Sequence, residues 1–564
     1  MSRHMQDGNE NMSRTANGNQ FDVTIIGSGL GGSTLAAALA RNGVSVLLLD
    51  SATHPRFAVG EATIPYTNVT QRTIADRYGI PELKNLCTLA DCTKVIGPKF
   101  GTKIHFGFLR HEEGKPQNPQ EVNEFHTPDL LAEAHHLYRQ DSDSYVFHLA
   151  LQYGARARQN FRIAAVDIDG SGVTIQGENG DEYRSRYVVD AGGYRSPLAE
   201  KFNLREQPTR FKHQSRSMFT HMIGLTHTDE LWQRSKADRP PVPWNQGTVH
   251  HIFERGWFWY IAFNNTPLSQ NPIQSVGLTL DPRLYPRDPS LTPMEDFMSM
   301  ASRFPDVERQ YAGGVPVREW VSTDRVQYSS KQLVGDRWCL LAHAAGFLDP
   351  LFSFGLAVTG DAVNALAWRL IRAVKDDDFS AERFEYLERL QQARLDYVDE
   401  IVNASYTAFS DFDLWKAVFR CWVWPNNAGT FRLQMALSKF RKDGDDEHFR
   451  DLEEAPHLGM DWPVHDGMKQ LFDLMVDRCD AVQAGQLSTR KAADDLWAVL
   501  AGANFMTQPF GFGNRDLRFM HPTPAVIAKS GLWARREADP MVRDMLFTIG
   551  KEAIGRRLRG SRIF

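Results

Sequence analysis

No apolar run in this chain of 564 residues approaches the roughly 18 that a membrane-spanning helix needs, and the N-terminal residues lack the apolar centre of a signal peptide. Charge of one sign is also missing. The 64 lysines and arginines stand against 69 aspartates and glutamates, and a net charge of −5 excludes a broad basic footprint for nucleic acid or an anionic membrane. Cysteine is scarce. Cys87, Cys92, Cys339, Cys421 and Cys479 are too few and too scattered for a disulfide framework, and the first two, five residues apart, have no second pair to complete a zinc site. Reduced, buried thiols in a cytoplasmic protein are the expectation. The doublets His135-His136 and His250-His251 supply no metal site either, because strand neighbours point to opposite faces. No GxSxG elbow with a matching acid and histidine is present.

Aromatic residues, by contrast, are abundant: 13 Trp and 34 Phe argue against disorder and for an aromatic-lined interior. Residues 1–20 are polar and aperiodic and read as a flexible leader. From Phe21 the run FDVTIIGSGLGGSTLAAALARNGVSVLLLD reads as a buried strand, a glycine turn, a small-residue helix and a second buried strand. IAAVDIDGSGVTIQGENGDEYRSRYVVDAGG predicts successive strands, and HHIFERGWFWYIAF a further one. The acidic stretch Asp376–Asp378 marks a change of composition, after which Phe384, Leu387, Leu390, Tyr397, Val398 and Ile401 recur at helical spacing. The division expected is therefore 21–374 as an α/β core and 375–564 as a mostly helical region.

The first chemical motif lies in Gly27-Ser28-Gly29-Leu30-Gly31-Gly32. Gly27 permits the tight turn, Gly29 lets backbone approach a pyrophosphate, and Gly32 lets helix and strand pack closely, while Asp50 closes the second strand 18 residues after Gly32 and suits a ribose hydroxyl. One such fingerprint points to FAD without a separate nicotinamide domain. Arg139, with Asp141, stands at an expected helix start. The run from Leu341 to Pro350, containing Asp349, resembles the second flavin motif of aromatic hydroxylases, with Ala342-His343 in place of the usual Gly-Asp. Asp190-Ala191-Gly192-Gly193 resembles the remaining shared flavoprotein motif.

HPRFAVGEATIP (His54 to Pro65, including Gly60 and Glu61), the segment of Trp257, Trp259 and Ile261, and DPLFSFGL (Asp349 to Leu356) resemble the flavin-dependent halogenase family. The likeness runs from about residue 21 to near the C-terminus, through EAHHLYRQDSDSYVFH, VHHIFERGW and ASYTAFSDFDLW, and is greatest to the branch acting on phenols and aromatic polyketides. It implies a Rossmann-like FAD domain of aromatic-hydroxylase type with an inserted substrate sheet. Its cofactors would be reduced FAD (FADH2), O2 and chloride or bromide, its partners a separate flavin reductase and a phenolic small molecule. It also implies a flavin C4a-hydroperoxide that yields hypohalous acid, carried past the tryptophan strand to Lys103. Cofactor contacts would come from Gly27, Gly29, Gly32, Asp50, Gly60, Glu61, Arg139 and Asp349, and halide contacts from Ser353, Phe354 and Gly355. Phe106 and Phe352 would line the substrate pocket.

By spacing alone Lys103 is an ordinary surface lysine; strand alternation would send it to one face with His105 and Gly107, with Lys99 and Lys94 close by. Trp257 and Trp259 share a face with Ile261 and by themselves read as core. Three departures stand out. Ala262 replaces a proline, Phe354 an arginine common among phenol halogenases, and Phe352 the glutamate of tryptophan halogenases, which points away from indole. An FAD aromatic monooxygenase and a flavin-binding protein without catalysis are the rival readings.

Overall fold

The computed structural model describes residues 19–127, 133–232, 235 and 238–558. Residues 1–18 of the expected leader lie outside the described residues, and Gln20 already begins the first strand. Gln20–Ile26 and Val46–Leu49 pair in parallel, Val23 opposite Val46 and Ile26 opposite Leu49. Their near-continuous Val, Ile and Leu content suits strands covered on both faces. Glu182–Asp190 lies on the other side of the first strand, also parallel, and Trp338–Leu340 follows. With Arg156–Arg158, Val334–Gly335 and the hairpin of Ile163–Asp169 and Gly172–Gly177, this makes an eight-stranded sheet. Helix Leu30–Arg41 packs on it through Gly32, Ser33, Ala36, Ala37 and Ala38, all buried. A Cβ on Gly32 would stand 2.0 Å from the Gly27 carbonyl oxygen, and Gly27 itself has φ +99°.

The second sheet has nine strands. Along its path run Val315–Pro316, Arg216–Ile223, Gln274–Leu280, Gly256–Ala262, Thr248–Phe253, His105–Arg110, Val122–His126 and Phe519–Met520. HHIFERGWFWYIAF is thus two strands and not one: the chain reverses at Glu254-Arg255, where Arg255 takes φ 58° in place of the usual glycine or asparagine. Alternation sorts the tryptophan strand cleanly. Trp257, Trp259 and Ile261 enter one core with Phe106 and Phe108, whereas Phe258, Tyr260 and Ala262 enter another with Phe297, Phe304 and Tyr311.

Three long helices cover the first of these cores. Phe354–Asp376 runs through the expected boundary at 374/375 and stops at Asp377, which has φ 56°. Glu385–Ala408 follows, and then the 32 residues of Phe412–Asp443, capped by Asp411 at the start and ended by Gly444 at φ 74°. Trp415, Phe419 and Trp422 of that helix recur at i, i+4 and i+7 and reach the sheet, with Trp415 4.8 Å from Phe108 and Trp422 5.1 Å from Phe106. Among the described residues no helix is long and apolar enough to cross a membrane. Gly32→Ala is expected to destabilise the protein by about 1–3 kcal/mol through overpacking against Gly27; a chemical denaturation curve checks this.

Candidate active site

A groove of about 1620 Å3 opens along the eight-stranded sheet. That exceeds the roughly 300–1,000 Å3 typical of small-ligand pockets and has room for an extended dinucleotide. Gly27, Gly29, Gly32, Asp50 and Arg139 all line it, as do Ala191–Ser196. A Cβ on Gly29 would meet nothing within 4 Å, so this backbone fronts open space at the helix start, where free N–H groups suit a pyrophosphate. Asp50 accepts from the Ser28 backbone N–H at 2.6 Å and hydroxyl at 2.7 Å, and is paired with Arg56. Burial raises its pKa, but the Arg56 contact and the Ala52 and Ser28 N–H groups outweigh that and leave it below the ordinary carboxylate value. It is held ionised, with both oxygens acceptors only.

The other predicted cofactor residues, Gly60, Glu61 and Asp349, do not line this groove. Arg139 grips Asp143 through Nε at 2.7 Å and Nη2 at 2.9 Å, and donates through Nη1 to the carbonyls of Val59 and Gly60. It therefore anchors the loop carrying Gly60 and Glu61. Glu61 is buried against His221 at 2.6 Å. Asp349 lines a separate small cavity beside Phe354 and Gly355. His343, at the place of the missing acid of the flavin motif, lines both groove and small cavity. Burial and Arg139 hold its pKa at about 4, so the imidazole is neutral.

Lys103 does not share a face with His105 and Gly107. The strand breaks at Lys103-Ile104, between Gly101–Thr102 and His105–Arg110, and Ile104 N–H leaves the ladder for the Gln246 carbonyl at 2.8 Å. His105 and Gly107 face Trp244, while Lys103 places Nζ 3.8 Å from the ring centroid of Phe106 on the opposite face. There Nζ donates to Ser353 Oγ at 3.2 Å. Lys103 is 1% exposed, and burial holds its pKa well below the ordinary lysine value. Lys99, by contrast, is half exposed and paired with Asp141 at 2.8 Å.

Ser353 precedes helix Phe354–Asp376 with φ 57°, and its side chain makes no cap to the helix. A helix start leaves its first N–H groups without intrahelical partners. Those of Phe354 and Gly355, the residues expected to contact a halide, stand at this helix start, next to the serine that holds Lys103. Phe352 stacks on Trp422 at 4.3 Å, Phe354 approaches it at 6.1 Å, and Trp257 lies 5.6 Å from Trp259. Trp422, Trp415 and Phe419 were not singled out from the sequence; their i, i+4, i+7 spacing was the available signal.

The histidine doublets are structural: His136 bridges the Ala262 carbonyl and Thr248, each at 3.0 Å, and His250 donates through Nδ1 to the Gly107 carbonyl at 2.9 Å. No group of three or more potential metal ligands occurs among the described residues. Lys103→Met keeps the side-chain volume and removes an amine from an apolar setting, so it is expected to stabilise the protein by about 1–3 kcal/mol; thermal denaturation of both proteins checks this.

A family model described as tryptophan halogenase matches residues 109–450, and one for an NAD(P)-binding Rossmann-like domain matches residues 25–70. The chain is 46% identical over 532 residues to tetracycline 7-halogenase of Kitasatospora aureofaciens, covering 94% of this chain and 96% of that protein. It is 43% identical over 499 residues to monodechloroaminopyrrolnitrin halogenase PrnC of Pseudomonas fluorescens, covering 88% and 87%. The crystal structure of halogenase PltM in complex with phloroglucinol and FAD matches with a TM-score of 0.84 at 31% identity, over 89% of this chain and 99% of that one. With a Rossmann-like groove and a family match across most of its length, this chain belongs to the tryptophan halogenase family and is a flavin-dependent halogenase.

Proposed function

We propose that the chain chlorinates or brominates a phenolic, multi-ring aromatic natural-product precursor at a carbon ortho or para to a hydroxyl, with Lys103 as the residue that hands over the halogen. The observation that carries this reading is the 3.2 Å contact of buried Lys103 Nζ with Ser353 Oγ, beside the helix-start N–H groups of Phe354 and Gly355. FAD, reduced by a separate flavin reductase and held along Gly27–Gly32 and Asp50, would supply the two electrons that activate O2, the oxidant that converts halide into hypohalous acid.

The chain's own residues do the rest. The N–H groups of Phe354 and Gly355 hold the halide, and the Trp257/Trp259 strand walls the aromatic ring off from the flavin. Lys103, with its pKa held down by burial, offers a lone pair. The amine takes the halogen from hypohalous acid and releases water; the haloamine N–X bond then breaks as the ring carbon takes X, and the ring proton returns to nitrogen. A phenol is activated by its own oxygen, which accords with Phe352 standing where a carboxylate would assist an indole. Trp422, stacked on Phe352, has a buried Nε1–H with no partner among the described residues, a donor suited to a substrate oxygen. Lys103, Phe106, Phe352 and Trp422 are all buried, so a substrate reaches the amine only as these rings part. The likeness to tetracycline 7-halogenase, and to PltM with its bound phloroglucinol, supports a phenolic ring.

Mass spectrometry of a phenolic panel with FAD, a flavin reductase, NADH, O2 and either chloride or bromide tests the reading. A halide-dependent mass shift with the halogen isotope pattern is expected, and Lys103→Ala is expected to lose it by about 100-fold or more. Addition of one oxygen regardless of halide would replace halogenation by hydroxylation. Because protonation removes the lone pair, the rate is expected to fall on the acid side as pH drops through the lowered lysine pKa, which a pH–rate profile reads. Trp422→Phe keeps the stacking and is expected to raise KM about 10-fold for oxygenated rings, read from initial rates.

A further inference from the structure

Tyr406 sits fully buried on helix Glu385–Ala408, and its hydroxyl meets polar groups from three separate parts of the chain. Asp349 Oδ2 is 2.9 Å away, Thr279 Oγ1 2.7 Å and Trp257 Nε1 3.1 Å. A phenol has one proton and two lone pairs. A carboxylate only accepts, so the proton goes to Asp349, and the oxygen accepts from the Trp257 indole and the Thr279 hydroxyl. Its hydrogen-bonding capacity is thereby complete.

Asp349 carries the connection onward. Its Oδ2 also meets Ser215 Oγ at 3.2 Å and His213 Nε2 at 3.3 Å, and its Oδ1 accepts from Leu351 N–H at 3.0 Å. This opens the turn that ends at Ser353, whose N–H donates to the Pro350 carbonyl at 3.0 Å and whose Oγ accepts from Lys103. A continuous path thus links Trp257 to Lys103 through Tyr406, Asp349 and the halide turn. The ring alone would satisfy packing: it lies 4.4 Å from His213 and 5.3 Å from Phe409, and a phenylalanine would fill the same space. The hydroxyl does something the ring does not.

We propose that Tyr406 is a positioning residue for halogen transfer. Its hydroxyl fixes the tryptophan strand against the turn that presents Ser353 to Lys103, and so keeps hypohalous acid on the route to the amine. This inference rests on the function proposed above, and Tyr406 itself touches neither flavin nor substrate in it.

Tyr406→Phe tests it, with Asp349→Asn as the second variant. Each protein is given reduced FAD, O2, bromide and a phenol that the wild type halogenates, while escaping hypohalous acid is trapped by a dione that it halogenates freely. Halogenated phenol per FAD oxidised is expected to fall about 10-fold, because small misplacements in a reacting geometry have large effects on rate. Trapped oxidant is expected to rise in proportion, with FAD affinity by fluorescence titration and phenol KM unchanged in Tyr406→Phe. Acylation of Lys103 in the flavin-free protein, read by peptide mass spectrometry, is expected to quicken as the turn loosens. A folded Tyr406→Phe that stays coupled overturns the proposal, as does one in which FAD affinity falls along with product. Should Tyr406→Phe fail to fold, Asp349→Asn is expected to lose halogenated phenol and release oxidant in the same proportion, whatever its FAD affinity, and its staying coupled overturns the proposal equally. A wild type that oxidises FAD and halogenates no phenol removes the underlying function instead.

Discussion

An amine is poorly placed among phenyl and indole rings, because leaving water costs it more than its few new contacts return. Lys103 has one hydrogen bond, to Ser353, and the face of Phe106, and among the described residues it forms no ion pair. Holding it there demands much of the surroundings. The strand must break at Lys103-Ile104 to swing the side chain across the sheet, Ser353 must adopt φ 57° to offer its oxygen, and a helix from late in the chain must bring Trp422 over the opening. An aromatic pair contributes about 0.5–1.5 kcal/mol beyond its buried area. The cluster of Phe106, Phe108, Phe352, Trp415, Phe419 and Trp422 can therefore offset one awkward amine while excluding water from it.

The glycine fingerprint was legible because its logic is local. A turn at φ +99°, a helix packed within 2.0 Å of where a Cβ would be and an open front at Gly29 each follow from residues a few positions apart. The sorting of Trp257, Trp259 and Ile261 to one face followed equally from a period of two. The same rule misled at Lys103, where two residues leave the ladder and parity is lost, and no glycine or proline at the break announced it. HHIFERGWFWYIAF hid a hairpin for a related reason: Arg255 takes a left-handed conformation that sequence patterns reserve for glycine or asparagine. Trp422 and Tyr406 were least visible of all. Their partners, Phe352 and Phe106 for the one, Trp257 and Asp349 for the other, lie between 57 and 316 positions away.

The division into an α/β core and a helical region is a useful description of composition, but the site belongs to both. The halide turn and the tryptophan strand come from the first; the indoles that close the pocket and the phenol that ties strand to turn come from the second. Neither part alone encloses the amine.

The short strand Phe519–Met520 lies parallel to Val122–His126, with Phe519 opposite Glu124 and the Arg518 carbonyl accepting from Glu124 N–H at 3.0 Å. During synthesis the Val122–His126 strand emerges long before this partner exists, and until then it presents an unpaired edge next to the very strand that leads into Lys103. Nascent chains must therefore wait, with that edge open to other strands, for almost four hundred further residues before the last strand is added. A chain shortened before residue 519 would leave that edge unpaired and would also strip Trp533, Val542 and Met545 from the core that covers the tryptophan strand.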